Sequence, residues 1–362
     1  MKSRIYLDHA ATTPVGAAAR AAMAQALDIV GNPSSVHAGG RAANACLEGA
    51  RDAVARFAGA APEQIIFTSG GTEALALALG GARGVSRVLA SATEHSAVLG
   101  ARDDITILPV EHHGLIDLAA LESALRTGPA LVAVQAGNNE TGVIQPLAEV
   151  AALVQAAGGL LIADCVQSAG KLPLPAADFI ALSAHKLGGP PGVGALIVKH
   201  PDTLHAIQRG GQERGFRGGT HNLPGIAGFG AAVGAATDRA HDWTSVVARR
   251  DAMEAALVAA GARIHGATAP RLPHVSNIAL PGVAAATQVM MLDLDGIMVS
   301  AGAACSSGKV KSSHVLAAMG LGAQAGEAIR VSLSPATTDG DIADFITAWL
   351  AMAARLGRKH GA

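Results

Sequence analysis

A few polar residues, by type and spacing, point to chemistry at an activated amine. Asp164 closes one apolar run, and Lys186 follows another 22 residues later, inside Ser183-Ala184-His185-Lys186. A lysine becomes a nucleophile where desolvation or cationic neighbours loosen its proton. A lone Asp–Lys pair also reads as a plain salt bridge; the adjacent hydroxyl and imidazole make that reading less complete. Ser69-Gly70-Gly71-Thr72-Glu73 opens a helical stretch. Free N–H groups at a helix start attract an anion, and Thr72 adds a hydroxyl; the same letters also spell an ordinary capped turn. His95, in Thr93-Glu94-His95-Ser96, is either an acid–base group or a satisfied structural histidine. Cys305 lies among Ala, Gly and Ser, with Lys309 and Lys311 close by. That is a setting in which a thiol ionises.

The elements that must position these residues are short and apolar. Strands are expected at Ile65–Thr68, Val88–Ala90, Ile105–Val110, Leu131–Gln135, Leu160–Ala163, Phe179–Leu182 and Ala195–Val198. Helical patterns at Thr72–Gly84, Leu118–Leu125 and Pro146–Ala157 separate several of them. Strand, helix, strand at this spacing predicts βαβ units around a mostly parallel sheet covered on both faces. In such sheets ligands bind beyond the carboxyl ends of the strands, where the polar residues above fall. After Thr237 the pattern shifts to an α+β arrangement: helices at Ser245–Ala260, near Ala285–Asp293 and at Asp339–Leu356, with strands at Val275–Leu280, Ile297–Val299 and Ile329–Leu333. The fold class is therefore α/β, with a large, mostly parallel sheet domain over 13–240. A smaller α+β domain is built from 1–12 and 241–362 and carries the Cys305 loop, read as mobile from its Gly and Ser content.

Composition narrows the classes. The 362 residues suit roughly two domains at ~150 residues each. A formal net charge of −1 gives no footprint for a nucleic-acid backbone, and nine aromatic residues offer few stacking platforms, so no direct nucleic-acid binding is expected. The 80 Ala and 44 Gly predict a core of small side chains and close backbone approach. Three scattered cysteines make no disulfide framework or Cys-rich zinc site. Cys46 and Cys165 read as packed apolar residues. Leu223–Thr237, the longest weakly polar stretch, is too short to span a bilayer, and Met1–Thr13 lacks a signal-type apolar core. The expectation is a cytoplasmic protein with no membrane contact.

Pyridoxal 5′-phosphate requires the arrangement just described. A lysine holds its aldehyde, a carboxylate keeps its ring nitrogen protonated, and a helix start with small hydroxyls binds its phosphate. Further motifs run nearly end to end: Tyr6-Leu7-Asp8-His9-Ala10-Ala11-Thr12-Thr13, Gly31-Asn32-Pro33-Ser34-Ser35-Val36-His37, Asn138-Asn139-Glu140-Thr141-Gly142, Arg217-Gly218-Gly219-Thr220, Ala304-Cys305-Ser306-Ser307-Gly308 and Arg330-Val331-Ser332. With these the chain resembles the cysteine desulfurases of the nitrogen-fixation and iron–sulfur-assembly type, class V aminotransferases of the aspartate-aminotransferase-like fold.

The resemblance implies a homodimer that converts L-cysteine to L-alanine and leaves the sulfur as a persulfide on Cys305. The acceptor would be an iron–sulfur scaffold protein or another sulfur acceptor. It implies Lys186, Cys305 and His95 as catalytic residues. It implies Gly71, Thr72, Ser183 and His185 on the cofactor phosphate, with Thr220 reaching that of the partner subunit. Asp164 pairs with the ring nitrogen, His95 stacks on the ring, and Gln167 sits by the ring hydroxyl. Asn139 lies by that hydroxyl or the substrate carboxylate, which Arg330 clamps. Cys305, through its persulfide, is further implied as a transient iron–sulfur ligand. The chain departs from the family pattern at Pro191, where relatives often carry lysine, and at Phe216-Arg217, where two basic residues are common. The long Cys305 loop resembles the class that hands sulfur directly to a scaffold. An aminotransferase, a selenocysteine lyase or an idle docking platform would share much of this pattern; Cys305 separates the first, and the intact Lys186 and Asp164 the last.

Overall fold

Apolar runs too short for helices and rich in Ile, Val and Leu become strands, and the computed structural model gathers most of them into one sheet. It describes residues 4–238, 243–302 and 312–357. The strands are β1 (Ile5–Tyr6), β2 (Ile65–Thr68), β3 (Val88–Ser91), β4 (Ile105–Leu108), β5 (Leu131–Gln135), β6 (Leu160–Asp164), β7 (Phe179–Ser183), β8 (Gly194–Val198), β9 (Arg263–Ile264), β10 (Val275–Ala279), β11 (Ile297–Met298) and β12 (Ala328–Ser332). The large sheet has the order β2-β8-β7-β6-β5-β3-β4. β8 runs antiparallel to both neighbours and the remaining pairs are parallel. The carboxyl ends of β2, β3, β5, β6 and β7 therefore share one edge.

Helices cover both faces, so the inner strands are buried throughout. One apolar cluster joins Leu47, Phe67, Val132, Leu182 and Phe229 on one face; another joins Ile66, Leu75, Leu131, Phe179 and Leu196 on the other. A separate cluster is built around Trp349 and Phe345, both fully buried, with Met253, Ile278 and Ile329. Ile5 and Leu7, from the start of the chain, pack into this late-chain cluster. It sits on β12-β10-β9, an antiparallel sheet.

Several boundaries move for physical reasons. β4 stops at Leu108, not Val110, because Pro109 lacks the N–H that a ladder needs. β6 and β7 each run one residue beyond their apolar letters, to Asp164 and Ser183. The helix expected over Thr72–Gly84 spans Gly71–Gly81. Three further helices are Ala17–Leu27, Ala38–Ala58 and Leu223–Asp238; the second buries Ala43, Leu47, Ala50 and Val54 along one stripe, while the first and third carry no clear apolar stripe. The third packs on the other two through glycine: a Cβ at Gly230 would lie 2.8 Å from the Ala50 Cα, and one at Gly228 would lie 2.7 Å from the Met23 Cγ. That is the close approach a Gly- and Ala-rich chain permits.

Candidate active site

At the carboxyl edge of the large sheet lies a cavity of about 840 Å³. Gly71, Thr72, His95, Asn139, Asp164, Gln167, Ser183, His185, Lys186 and Arg330, ten of the twelve residues expected at the site, line it together. Asp164 is the last residue of β6 and Ser183 of β7. Lys186 ends the 3₁₀ turn Ala184–Lys186 that follows β7. Arg330 comes from β12, so the small antiparallel sheet contributes directly.

Lys186 Nζ donates to the carbonyl oxygens of Ala10 and, at 2.7 Å, of Ala11. A neutral amine has two hydrogens for these two acceptors and keeps its lone pair free. Burial, together with repulsion from Arg330, brings its pKa down to about 8, against the pull of Asp8 and Asp164. Asp164 Oδ1 accepts from the Val166 N–H at 2.9 Å. Burial still raises Asp164 to about 6. An amine and a carboxylate each moved toward neutrality in one cavity mark a chemical site.

The neighbouring imidazoles are neutral. Burial and the Lys186 charge lower His185 to about 4 and lower His95 as well. His95 Nδ1 accepts from the Ala97 N–H at 3.1 Å, so its own proton sits on Nε2. His185 Nδ1 meets Thr12 Oγ1 at 3.1 Å. Beside His95, the buried Glu94 accepts the Gln135 N–H at 2.8 Å through Oε1, and burial raises its pKa well above the ordinary value.

The phosphate end is built on glycine. Gly70 has φ +157° and ψ −178°, a conformation essentially reserved for glycine, and faces open space. A Cβ on Gly71 would lie 2.6 Å from the Val166 Cγ2, so this position is closed to larger residues. The helix Gly71–Gly81 starts here and presents unpaired N–H groups. Opposite, Arg330 Nη1 donates to Asn139 O at 3.0 Å and Nη2 to Asp8 Oδ1 at 2.7 Å. Gln167 Nε2 donates to Ala10 O at 2.8 Å, while its Oε1 is buried without a partner.

Two expected residues lie elsewhere. Thr220 lines a separate pocket of about 60 Å³ that shares Ser69 and Gly192 with the large cavity. Cys305 lies outside the described residues, and with it the expected iron–sulfur contact. The flanks of segment 303–311, Gly302 and Ser312, both line the cavity. The next residue, Ser313, donates to the buried Glu140 Oε2 at 2.5 Å. Cys165 is fully buried, and burial plus Asp164 raise its thiol pKa far above the ordinary value, which removes it as a nucleophile. Cys46 packs against the core, and burial raises it too. Among the described residues, no group of three or more His, Cys, Asp or Glu could hold a metal, and no helix is long and apolar enough to cross a membrane.

Residue-type reasoning assigned no role to Asp8, Ala10, Ala11, Gln135 or Glu140. Asp8, Ala10 and Ala11 belong to one quoted motif and Glu140 to another, but the contribution of the first three is backbone and charge placed against Lys186, which letters do not display.

The residues fit pyridoxal phosphate: a buried carboxylate waits for a cationic ring nitrogen, an amine near neutrality faces it, and a glycine cradle opens at a helix start. Fold and site define a pyridoxal-phosphate-dependent enzyme. The model of the family described as aminotransferase class-V matches residues 5–345. A cysteine desulfurase of Cereibacter sphaeroides is 41% identical, covering 94% of this chain and 93% of the relative. The cysteine desulfurase IscS of Anaeromyxobacter sp. (strain Fw109-5) is 39% identical over 94% and 90%. The crystal structure of a NifS-like protein from Rickettsia africae ESF-5 superposes with a TM-score of 0.89 at 32% identity, covering 96% of this chain and 98% of that one. This chain belongs to the class-V aminotransferase family and, within it, to the cysteine desulfurases.

Proposed function

We propose that the chain works as a homodimer that takes sulfur from L-cysteine onto Cys305, releases L-alanine, and passes the sulfur to an iron–sulfur scaffold protein or another acceptor. The observation that supports this most is the Lys186–Asp164 pair, both groups shifted toward neutrality beside a glycine-built anion cradle. Pyridoxal phosphate, when bound, supplies an electron sink for the charge that develops at the substrate Cα.

The chain supplies the rest. Gly71, Thr72, Ser183 and His185 hold the phosphate, and Thr220 does so for the partner subunit. Asp164 would hold a proton on the ring nitrogen by its charge, with Gln167 toward the ring hydroxyl and His95 toward the ring face. Arg330 has Nη hydrogens left after Asn139 O and Asp8, and these hold the substrate carboxylate beside Asn139. Lys186 Nζ anchors the cofactor and then accepts the Cα proton. His95 Nε2–H gives and takes protons at the cavity wall. The Cys305 thiolate attacks the substrate sulfur and forms an S–S bond; the Cβ–S bond breaks, its electron pair stays on carbon, which takes up a proton to become alanine's methyl, and the sulfur remains on Cys305 Sγ as a persulfide. Separate apolar clusters, with Ile5 and Leu7 in the late-chain one, support domains at 13–240 and at 1–12 with 241–362.

Purified protein given L-cysteine and excess dithiothreitol, the thiol reductant that releases the persulfide's outer sulfur as sulfide, is expected to form alanine and sulfide in equal amounts. A keto acid in place of alanine would assign it to transamination instead.

The proton on Lys186 gives a pH test. Only the neutral amine attacks an aldehyde. With a pKa of about 8 rather than 10.5, capture of pyridoxal phosphate by apo-protein should speed up with pH until about 8 and then level. Asp164→Asn removes a charge that favours the ammonium, so the midpoint should fall below 8. Stopped-flow absorbance measures both profiles; a wild-type rate still climbing steeply above pH 9.5 would contradict the assignment.

A further inference from the structure

The turn before Thr220 is strained and charged, with the Glu213 side chain buried beneath it, and it grips the strand that leads into the phosphate cradle. Glu213 and Arg214 have φ of +44° and +55°, the two non-glycine residues with positive φ among those described. Such backbone persists where surrounding contacts over-determine it, and it points toward function. Here the contacts converge on one carboxylate, whose side chain is 1% exposed. Arg51 Nη1 donates to Glu213 Oε2 at 2.8 Å and Arg51 Nη2 to Oε1 at 2.9 Å. The Phe67 N–H donates to Oε2 at 2.8 Å, and His221 Nε2 meets Oε1 at 2.7 Å.

These contacts tie three places together. Phe67 lies on β2, the edge strand whose next residues are Thr68, Ser69, Gly70 and Gly71. Its outward N–H would otherwise go unpaired at the sheet edge, as would the Ile65 carbonyl, which accepts from Arg51 Nη1 at 2.8 Å. Arg214 fastens the other side of the turn, donating to the Pro62 and Glu63 carbonyls at 3.2 Å. His221 is the direct neighbour of Thr220. A second link runs parallel: Arg217 Nε donates to Glu73 Oε1 at 2.8 Å, and Glu73 Oε2 accepts the Ser69 N–H at 2.5 Å. Burial opposes a charge on Glu213, yet the Arg51 and His221 contacts outweigh it and hold the carboxyl down at about 2, so the anion persists across the working range.

We propose that Glu213 is a positioning residue for the phosphate end of the site: it locks the 213–221 turn, and Thr220 with it, onto β2 and the glycine cradle. The inference rests on the phosphate role given above to Thr220 and Gly71. It makes the cradle and the threonine one rigid piece of each chain.

The test compares two ligands on apo-protein: pyridoxal phosphate, and pyridoxal, which has the same ring and aldehyde without the phosphate. Equilibrium dissociation constants come from fluorescence quenching. Glu213→Gln keeps the volume and removes the charge; it should bind pyridoxal phosphate roughly tenfold more weakly, the scale of a lost charged hydrogen bond. Pyridoxal should bind within about twofold of wild type, the spread of independent sites. Thr220→Ala should show the same selectivity. The double variant should lose no more than the worse single variant, within about twofold, because the two act in series. His221→Ala leaves the Arg51–Glu213 pair intact and should reproduce the selective loss even if Glu213→Gln folds poorly. Equal weakening of both ligands, or losses of Glu213 and Thr220 that multiply fully, would overturn the proposal. Wild-type protein that binds the two ligands equally would instead remove the phosphate reading beneath it, and selective binding unaffected by Glu213→Gln would remove the Glu213 role alone.

Discussion

Lys186→Ala is expected to cut sulfide release from L-cysteine by about 10³-fold or more, the scale of a lost acid–base and nucleophilic group. The amine is the cavity's nucleophile near neutral pH, positioned by the Ala10 and Ala11 carbonyls. His95 and His185 are neutral bases but too weakly basic to replace it, with His185 at about 4. The variant should still hold pyridoxal phosphate, since Gly71, Thr72 and Ser183 are untouched, but without the absorbance that marks attachment to the lysine. Unfolding can be separated from lost chemistry. The folded pKa of Lys186 is depressed from 10.5 to about 8, so burying the amine disfavours its charged form. Below pH 8 both folded and unfolded lysine are charged, and the folded state bears a cost on the order of 3 kcal/mol. That cost fades as pH rises from about 8 to 10.5. Removing the amine at pH 7 relieves it, so the apo variant should melt no lower than apo wild type. A variant that releases sulfide at the wild-type rate would end the assignment; a strong drop in melting temperature would move the effect from chemistry to folding.

Much of this site is readable because its residues sit where apolar runs stop. Asp164 and Ser183 terminate β6 and β7, and a carboxylate or hydroxyl at that point faces the crevice rather than the core. The sequence ends each run at the polar letter, one residue before the strand ends, so the residues that matter most look like loop. Helix Leu223–Asp238 escapes for the opposite reason. It is apolar on nearly all sides and uses glycine to touch its neighbours, so it carries no amphipathic stripe to detect. Glu213 is invisible for a third reason: its importance lies in a positive φ and a charge network joining residues 51, 67, 213 and 221, which no local spacing encodes. The carbonyls of Ala10 and Ala11 belong to the same class of hidden contribution, since backbone oxygens have no letter.

Cys305→Ser is expected to separate the two halves of the reaction. Lys186, Asp164 and His95 line a cavity that the substitution does not alter, so L-cysteine should still bind, lose its Cα proton and change the cofactor spectrum at close to the wild-type rate. The serine hydroxyl is a far poorer nucleophile toward sulfur than a thiolate, and it holds no stable persulfide. Sulfide release should therefore fall by about 10²-fold or more, the minimum scale for removing an activated nucleophile. The flanks of the segment support this assignment: Gly302 and Ser312 both line the cavity, so chain on either side of Cys305 borders the site. The other thiols are poor substitutes. Cys165 is fully buried with its proton held far above neutrality, and burial raises the Cys46 thiol as well. Cys46→Ser and Cys165→Ser should leave sulfur transfer unchanged. The decisive measurement is mass spectrometry of wild-type protein after a short pulse of L-cysteine labelled with heavy sulfur. One added sulfur should map to the peptide holding Cys305 and vanish in Cys305→Ser. Label on Cys46 or Cys165 with Cys305 unmodified would refute the Cys305 assignment even in a protein that turns cysteine into alanine, because the acceptor thiol would then lie outside the segment whose flanks, Gly302 and Ser312, line the cavity.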